Sequence, residues 1–120
     1  MDDERIIDIK KEDGVVFVEF LVPSISAALD IEALAAELSG YIEDNKPNDV
    51  IVDFNGVKFF SSQVLGLLVC IWRKLKEYGG SVLISGINPD LNRVFRITNL
   101  DRLFEFYPDR QSAINAVKAR

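Results

Sequence analysis

The chain has 120 residues, 48% of them hydrophobic, with 14 basic and 19 acidic side chains, one cysteine and no histidine, for a net charge of −5. That length buries one core and not two, so residues 1–120 are expected to form a single domain. No Lys/Arg cluster can neutralise consecutive phosphates, which excludes a nucleic-acid footprint, and without histidine there is neither an imidazole base nor a Cys/His zinc site.

In chain order, Met1-Asp2-Asp3-Glu4 is acidic where a secretory signal is basic, and no apolar run approaches the ~18 residues of a membrane span. A cytoplasmic protein without membrane association is the expectation. From Arg5 to Lys11, Ile7 and Ile9 alternate with polar residues, which predicts a half-exposed strand, and Asp13-Gly14 supplies a hairpin turn. Val15 to Val22 is apolar on both faces and reads as a buried strand ended by Pro23. Ser24 to Leu29 reads equally as loop or early helix. From Asp30, the stripe Ile31, Leu34, Ala35, Leu38 and Ile42 predicts an amphipathic helix, with Asp30 at the positive end of its dipole. Residues 45–48, with Pro47, form the loop that follows.

Val50, Ile51 and Val52 are a β-branched strand ended by Asp53, with turn chemistry at Asn55-Gly56 and a second apolar burst at Val57, Phe59 and Phe60. A helix opens at Ser61-Ser62, carries Val64, Leu67, Leu68, Ile71, Leu75 and Tyr78 on one face, and stops at Gly79-Gly80. Cys70, inside this apolar helix, reads as a buried structural thiol. Ser81 to Ser85 is another buried strand, and Asn88-Pro89 pairs an N-cap with proline at the first helical position, turning Leu91, Val94 and Phe95 inward. Leu103 to Tyr107 gives the last strand, and Pro108-Asp109 starts a terminal helix with Ala113, Ile114 and Val117. The order ββαβαβαβα predicts an α/β fold in which a hairpin leads into right-handed parallel crossovers, with helices mainly on one face of a mixed sheet.

Catalysis is not expected. The nucleophile elbow Gly-x-Ser-x-Gly is absent around Ser61-Ser62, as are calcium-loop spacing and phosphate-cradling glycine patterns, so neither a metal nor a cofactor is implied. The serine pair has two readings, a helix N-cap or an acceptor for phosphate at a helix N-terminus, where free N–H groups and the dipole favour added negative charge. Gly66 and Arg73 fall within about 40° of Ser62 in helical projection, while Leu65, Val69 and Trp72 form a second apolar stripe beside that face. That stripe either packs on a neighbouring helix or offers a partner an aromatic anchor.

The run Asp53-Phe54-Asn55-Gly56-Val57-Lys58-Phe59-Phe60-Ser61-Ser62-Gln63-Val64-Leu65-Gly66 resembles the diagnostic stretch of STAS domains of the anti-sigma factor antagonist type. Lys74 to Gly80, the Asn88-Pro89 helix with Val94-Phe95, and Leu100 to Phe104 follow in the same order, so the resemblance covers nearly all of the chain. It implies a STAS-like mixed sheet of about five strands and a non-enzymatic regulatory module. It implies as partner a serine kinase with an ATPase-like fold that doubles as the anti-sigma factor, and a serine phosphatase that reverses its action. Ser62 matches the phosphorylated serine, with Ser61 the second candidate, and Ser61, Ser62, Leu65, Gly66, Val69 and Trp72 form the implied partner-binding surface. Departures from the pattern are Ser61 in place of an aspartate, Gln63 in place of a serine and Val64 in place of a glycine, and Pro23-Ser24-Ile25-Ser26-Ala27-Ala28 replaces the Gly-Glu-Leu-Asp-like early loop. Two alternatives stand beside this reading: a STAS scaffold or assembly subunit in which Ser62 is only a cap, and, less favoured, a serine-dependent enzyme using Ser61 or Ser62 without histidine.

Overall fold

The computed structural model describes residues 5–12 and 15–120; the turn expected at Asp13-Gly14 lies outside them, as does the Met1–Glu4 segment. In chain order the elements begin with β1 (Ile7–Glu12), β2 (Val15–Phe20), β3 (Ser24–Ile25), α1 (Ala28–Asn45), β4 (Asp49–Asp53) and β5 (Phe59–Phe60). They continue with α2 (Ser62–Lys76), β6 (Ser81–Ser85), α3 (Pro89–Ile97), a 3-10 turn at Leu100–Arg102, β7 (Glu105–Tyr107) and α4 (Arg110–Lys118).

Five strands make one sheet in the order β1-β2-β4-β6-β7. The β1–β2 pair is antiparallel, from Ile7 opposite Phe20 to Glu12 opposite Val15, and every later pairing is parallel. This is the expected hairpin followed by crossovers. Of the segment 24–29, which read as loop or early helix, Ser24–Ile25 form a two-residue strand, β3, paired parallel with β5, while Ala28 and Leu29 open α1. The two ladder residues of β3 were too few for periodicity to register.

The core sits on both sides of the sheet because β2, β4 and β6 alternate apolar residues inward to each face. Val16, Val18, Phe20, Val50, Val52, Val82 and Ile84 meet Ile31, Leu34, Leu38 and Ile42 of α1, the buried face of α2, and Leu91 and Phe95 of α3. On the opposite face Val15, Phe17, Ile51 and Leu83 meet Ala113 of α4, with Ile114 and Val117 at the margin. Three helices thus cover one face and one covers the other. Each large side chain so buried contributes about 1.5–3 kcal/mol, and the crossover helices are held by this burial more than by propensity.

Caps fix where the elements begin. Asn88 accepts from the Leu91 amide at 2.9 Å with Pro89 just inside the helix, and Asp109 accepts from the Ser112 amide at 2.8 Å. Behind α2, Gly79 adopts a positive φ of 87°, and a Cβ on Gly80 would lie 2.3 Å from the Asn48 carbonyl oxygen, so only glycine lets the chain pass under that loop. The last strand starts at Glu105, two residues later than expected, because Leu103 closes the 3-10 turn, its amide donating to the Leu100 carbonyl at 3.0 Å, and Phe104 bends the chain into β7. Glu105 pairs with Arg120, which also donates to Asp49 at 2.9 Å.

Candidate functional site

The serine pair is positioned by a short relay from the end of β4. Gly56, at φ 88°, turns the chain after Asp53, and the Val57 amide donates to the Phe54 carbonyl at 3.0 Å. The chain then zips onto β3: Lys58 and Phe59 both donate to the Pro23 carbonyl, at 2.8 and 3.2 Å, and Ser61 donates to the Ile25 carbonyl at 3.0 Å. From the other side, Asn88 Nδ2 donates to the Val57 carbonyl at 3.1 Å. An aromatic file runs beneath: Phe20 to Phe54 at 5.0 Å, Phe54 to Phe60 at 5.7 Å, Phe60 to Phe95 at 6.0 Å and Phe95 to Phe106 at 5.3 Å between ring centroids. Phe60 is therefore locked into the core one residue before Ser61, and tilted and edge-on ring pairs of this kind add about 0.5–1.5 kcal/mol each beyond their burial.

The structure places Ser61, and not Ser62, at the N-cap of α2, in extended conformation (φ −82°, ψ 164°). Its carbonyl accepts from the Val64 amide at 3.0 Å, but its hydroxyl makes no capping bond and is enclosed without a partner. Ser62 is the first helical residue and is exposed. Among the described residues, the Ser62 and Gln63 amides have no acceptor, as expected for the first turn of an uncapped helix. The helix thus presents an exposed hydroxyl at its positive end beside amides that an anion could accept from.

Of the six residues expected to bind a partner, Ser62 and Gly66 are exposed together, Ser61 is half-buried, and Val69 and Trp72 are half-buried with Trp72 resting on the core. Leu65, only 7% exposed, is committed to the core. Gly66 has nothing within 4 Å of where a Cβ would stand, so the surface beside Ser62 is open. Cys70 corrects the sequence reading: it is exposed, because the buried face of α2 is carried by Leu67, Leu68 and Ile71, and spacing of four puts Cys70 in line with Ser62 and Gly66. The sequence reading also missed Phe59, which is 53% exposed immediately before the Phe60 anchor. The signal was the period-two alternation of β5, which turns one phenylalanine out if the next turns in.

Farther along, Lys74 of α2 donates to Glu43 of α1 at 2.7 Å, and the two groups hold each other charged: the bond lowers the Glu43 pKa and raises that of Lys74. Among the described residues no set of His, Cys, Asp or Glu side chains could hold a metal ion, and no helix is long and apolar enough to cross a membrane.

Comparison with known proteins adds to this geometry. The family model described as STAS domain matches residues 7–113. Over 73 residues the sequence is 30% identical to a Thermotoga neapolitana protein that carries the provisional name of anti-sigma factor antagonist, a match that takes in 61% of this chain and 65% of that protein, a little under two thirds of its length. The fold is similar to that of an anti-sigma-factor antagonist (STAS) domain protein from Planctomyces limnophilus, with a TM-score of 0.82 at 26% identity over 92% of this chain and 95% of that one. It is also similar to the phosphorylated form of the Bacillus cell fate determinant SpoIIAA, with a TM-score of 0.72 at 21% identity over 92% of this chain and 98% of that one.

Proposed function

The chain belongs to the STAS domain family, and on that premise we propose that it is an anti-sigma factor antagonist of the cytoplasm whose single domain binds a serine kinase with an ATPase-like fold and is switched off by phosphorylation of Ser62. The observation that carries this reading is the exposed Ser62 hydroxyl at the first position of α2, beside amides with no acceptor and an open surface at Gly66. A phosphate there adds ~1.5 to 2 negative charges at the helix end that tolerates them best, so the domain keeps its fold while the docking face changes charge. The buried Ser61 hydroxyl is the poorer kinase substrate, which favours Ser62 over its neighbour. The existence of a phosphorylated SpoIIAA with this fold supports the same assignment. A serine phosphatase would restore the binding state.

A second reading, a scaffold subunit without phosphate control, draws on one observation: Ser61 stands at the cap where the related pattern has an acid. Incubation with ATP and the serine kinases of the source cell, followed by phosphosite mapping, separates the two. Modification at Ser62, with a kinase-like ATPase recovered by wild type and by Ser62→Ala but not by Ser62→Asp, is the expected result. An unmodified Ser62 together with equal recovery by all three proteins would establish the scaffold.

A further inference from the structure

A second polar site lies on the face of the sheet that carries α4, opposite the face covered by α2. It is a cavity of about 280 Å³ at the carboxyl ends of β2, β4 and β6, lined by Glu19, Asp53, Asn55, Gly86, Asp109 and Arg110. Sites outside the carboxyl ends of parallel strands are the ordinary ligand position in α/β sheets, and this volume, below the ~300–1,000 Å³ of drug-sized pockets, suits a small molecule.

Three features of the lining define what it would take. Glu19 and Asp53 are directly opposed on neighbouring strands, an arrangement of like charges that disfavours the sheet and is relieved on the Glu19 side by Lys10 at 3.7 Å, which leaves Asp53 as the carboxylate without a cation. Asp53, 7% exposed, has only neutral donors, Ser85 Oγ at 3.0 Å and the Asn55 amide at 3.2 Å, and both fall on Oδ1. Among the described residues no cation pairs with it and no donor reaches its Oδ2, which is not enclosed and remains open to a ligand entering the cavity. Arg110, by contrast, stacks over Phe17 at 5.0 Å, reaches Glu19 only at 3.9 Å, and has an enclosed Nε with no partner. The cradle beside Asp53 exists because residue 86 is glycine: at φ 66°, a Cβ would come within 3.1 Å of Asp53 Oδ1 and 3.2 Å of Asn55 Cβ. These carboxylates do not converge into a metal cage. They are spread around a space with an arginine on its rim, which matches a ligand carrying both signs of charge.

We propose that this cavity binds a small zwitterion of the α-amino-acid class, its ammonium donating to Asp53 Oδ2 and Glu19 and its carboxylate accepting from Arg110. The site is independent of the switch assigned to Ser62, and its test needs no partner protein. In an amide NMR titration of the full unphosphorylated chain, glycine, alanine and serine should give saturable shifts at Asn55, Gly86 and Asp109, methylamine weaker ones and acetate none. Asp53→Asn, which keeps an acceptor for Ser85 and Asn55, should weaken amino-acid binding about ten- to a hundredfold, the scale of hydrogen bonds to charged groups. Arg110→Gln, at a half-exposed position, should erase the preference for the amino acid over methylamine, and it serves as the deciding variant if Asp53→Asn does not fold. The proposal is overturned if no compound shifts these amides at tens of millimolar, if acetate binds as well as glycine, or if Arg110→Gln keeps the full amino-acid preference.

Discussion

An acid at position 61 should stabilise the domain. Ser61 has the backbone of an N-cap and its carbonyl already accepts from the Val64 amide, yet its hydroxyl is enclosed and makes no bond. An aspartate there can accept from the open amides of the first turn, a contribution of about 1 kcal/mol for the cap and about 0.3–1 kcal/mol from the helix dipole. Bringing a carboxylate to a half-buried position offsets part of this, leaving a net gain of about 1 kcal/mol. For a domain of this size that is a rise in Tm of about 3–6 °C. Ser61→Ala removes a hydroxyl with no partner, so it should change stability by less than about 0.5 kcal/mol, where a working cap would lose ~1 kcal/mol. Ser62→Ala, at an exposed first-turn position, should be equally silent. Urea unfolding followed by the fluorescence of Trp72, the single tryptophan, reads all three, since its ring rests on the core. A loss of 1 kcal/mol or more in Ser61→Ala, or a lower midpoint in Ser61→Asp, would refute the reasoning.

Gly66→Ala should stabilise the domain by about 0.5–1 kcal/mol, because a mid-helix glycine is replaced where the new methyl meets nothing, and should at the same time weaken recovery of the partner kinase if that face docks it. Gly80→Ala should cost on the order of 1–3 kcal/mol, read as a lower urea midpoint, since its Cβ would stand 2.3 Å from the Asn48 carbonyl oxygen. The Asp109 pKa lies below the ordinary aspartate range because its carboxylate accepts from Ser112 at the start of α4. A depressed folded-state pKa means that the contribution is present above the unfolded value and is lost as pH falls through the folded one, so α4 should loosen below about pH 4. Amide NMR of Ala113 and Ile114 across pH 6 to 3 measures this, and Asp109→Asn should flatten that dependence.

Most of the architecture was legible because burial on both faces forces near-continuous apolar strands in β2, β4 and β6, and single-sided burial forces 3.6-residue spacing in α1 and α2. Asn88-Pro89 and Asp109 could be read as starts because their side chains make the capping bonds that favour those residue types. The β3–β5 pair was not legible: two strands of two residues carry no period, and their partner is distant in sequence. At the site, the sequence located the start of α2 but not which serine caps it, since either register leaves the apolar stripe unchanged and only the β3 contact to the Ser61 amide decides. Cys70 was misplaced because a thiol among leucines looks buried until its angle around the helix is compared with Gly66. The acidic cavity went unseen because Glu19, Asp53 and Arg110 become neighbours only through strand register and the return of α4.

The two margins of the sheet bear on how the protein behaves when crowded. A strand with one unpaired side is a template on which a second chain can grow, and long, flat, uncharged margins seed fibrils. Here one margin is β1, whose Asp8, Lys10, Lys11 and Glu12 interrupt any apolar row, and the other is β7, three residues long, closed by Pro108 and tied through Glu105 to Arg120. Neither offers a sticky template. The domain can therefore stand at high concentration without its sheet recruiting copies of itself.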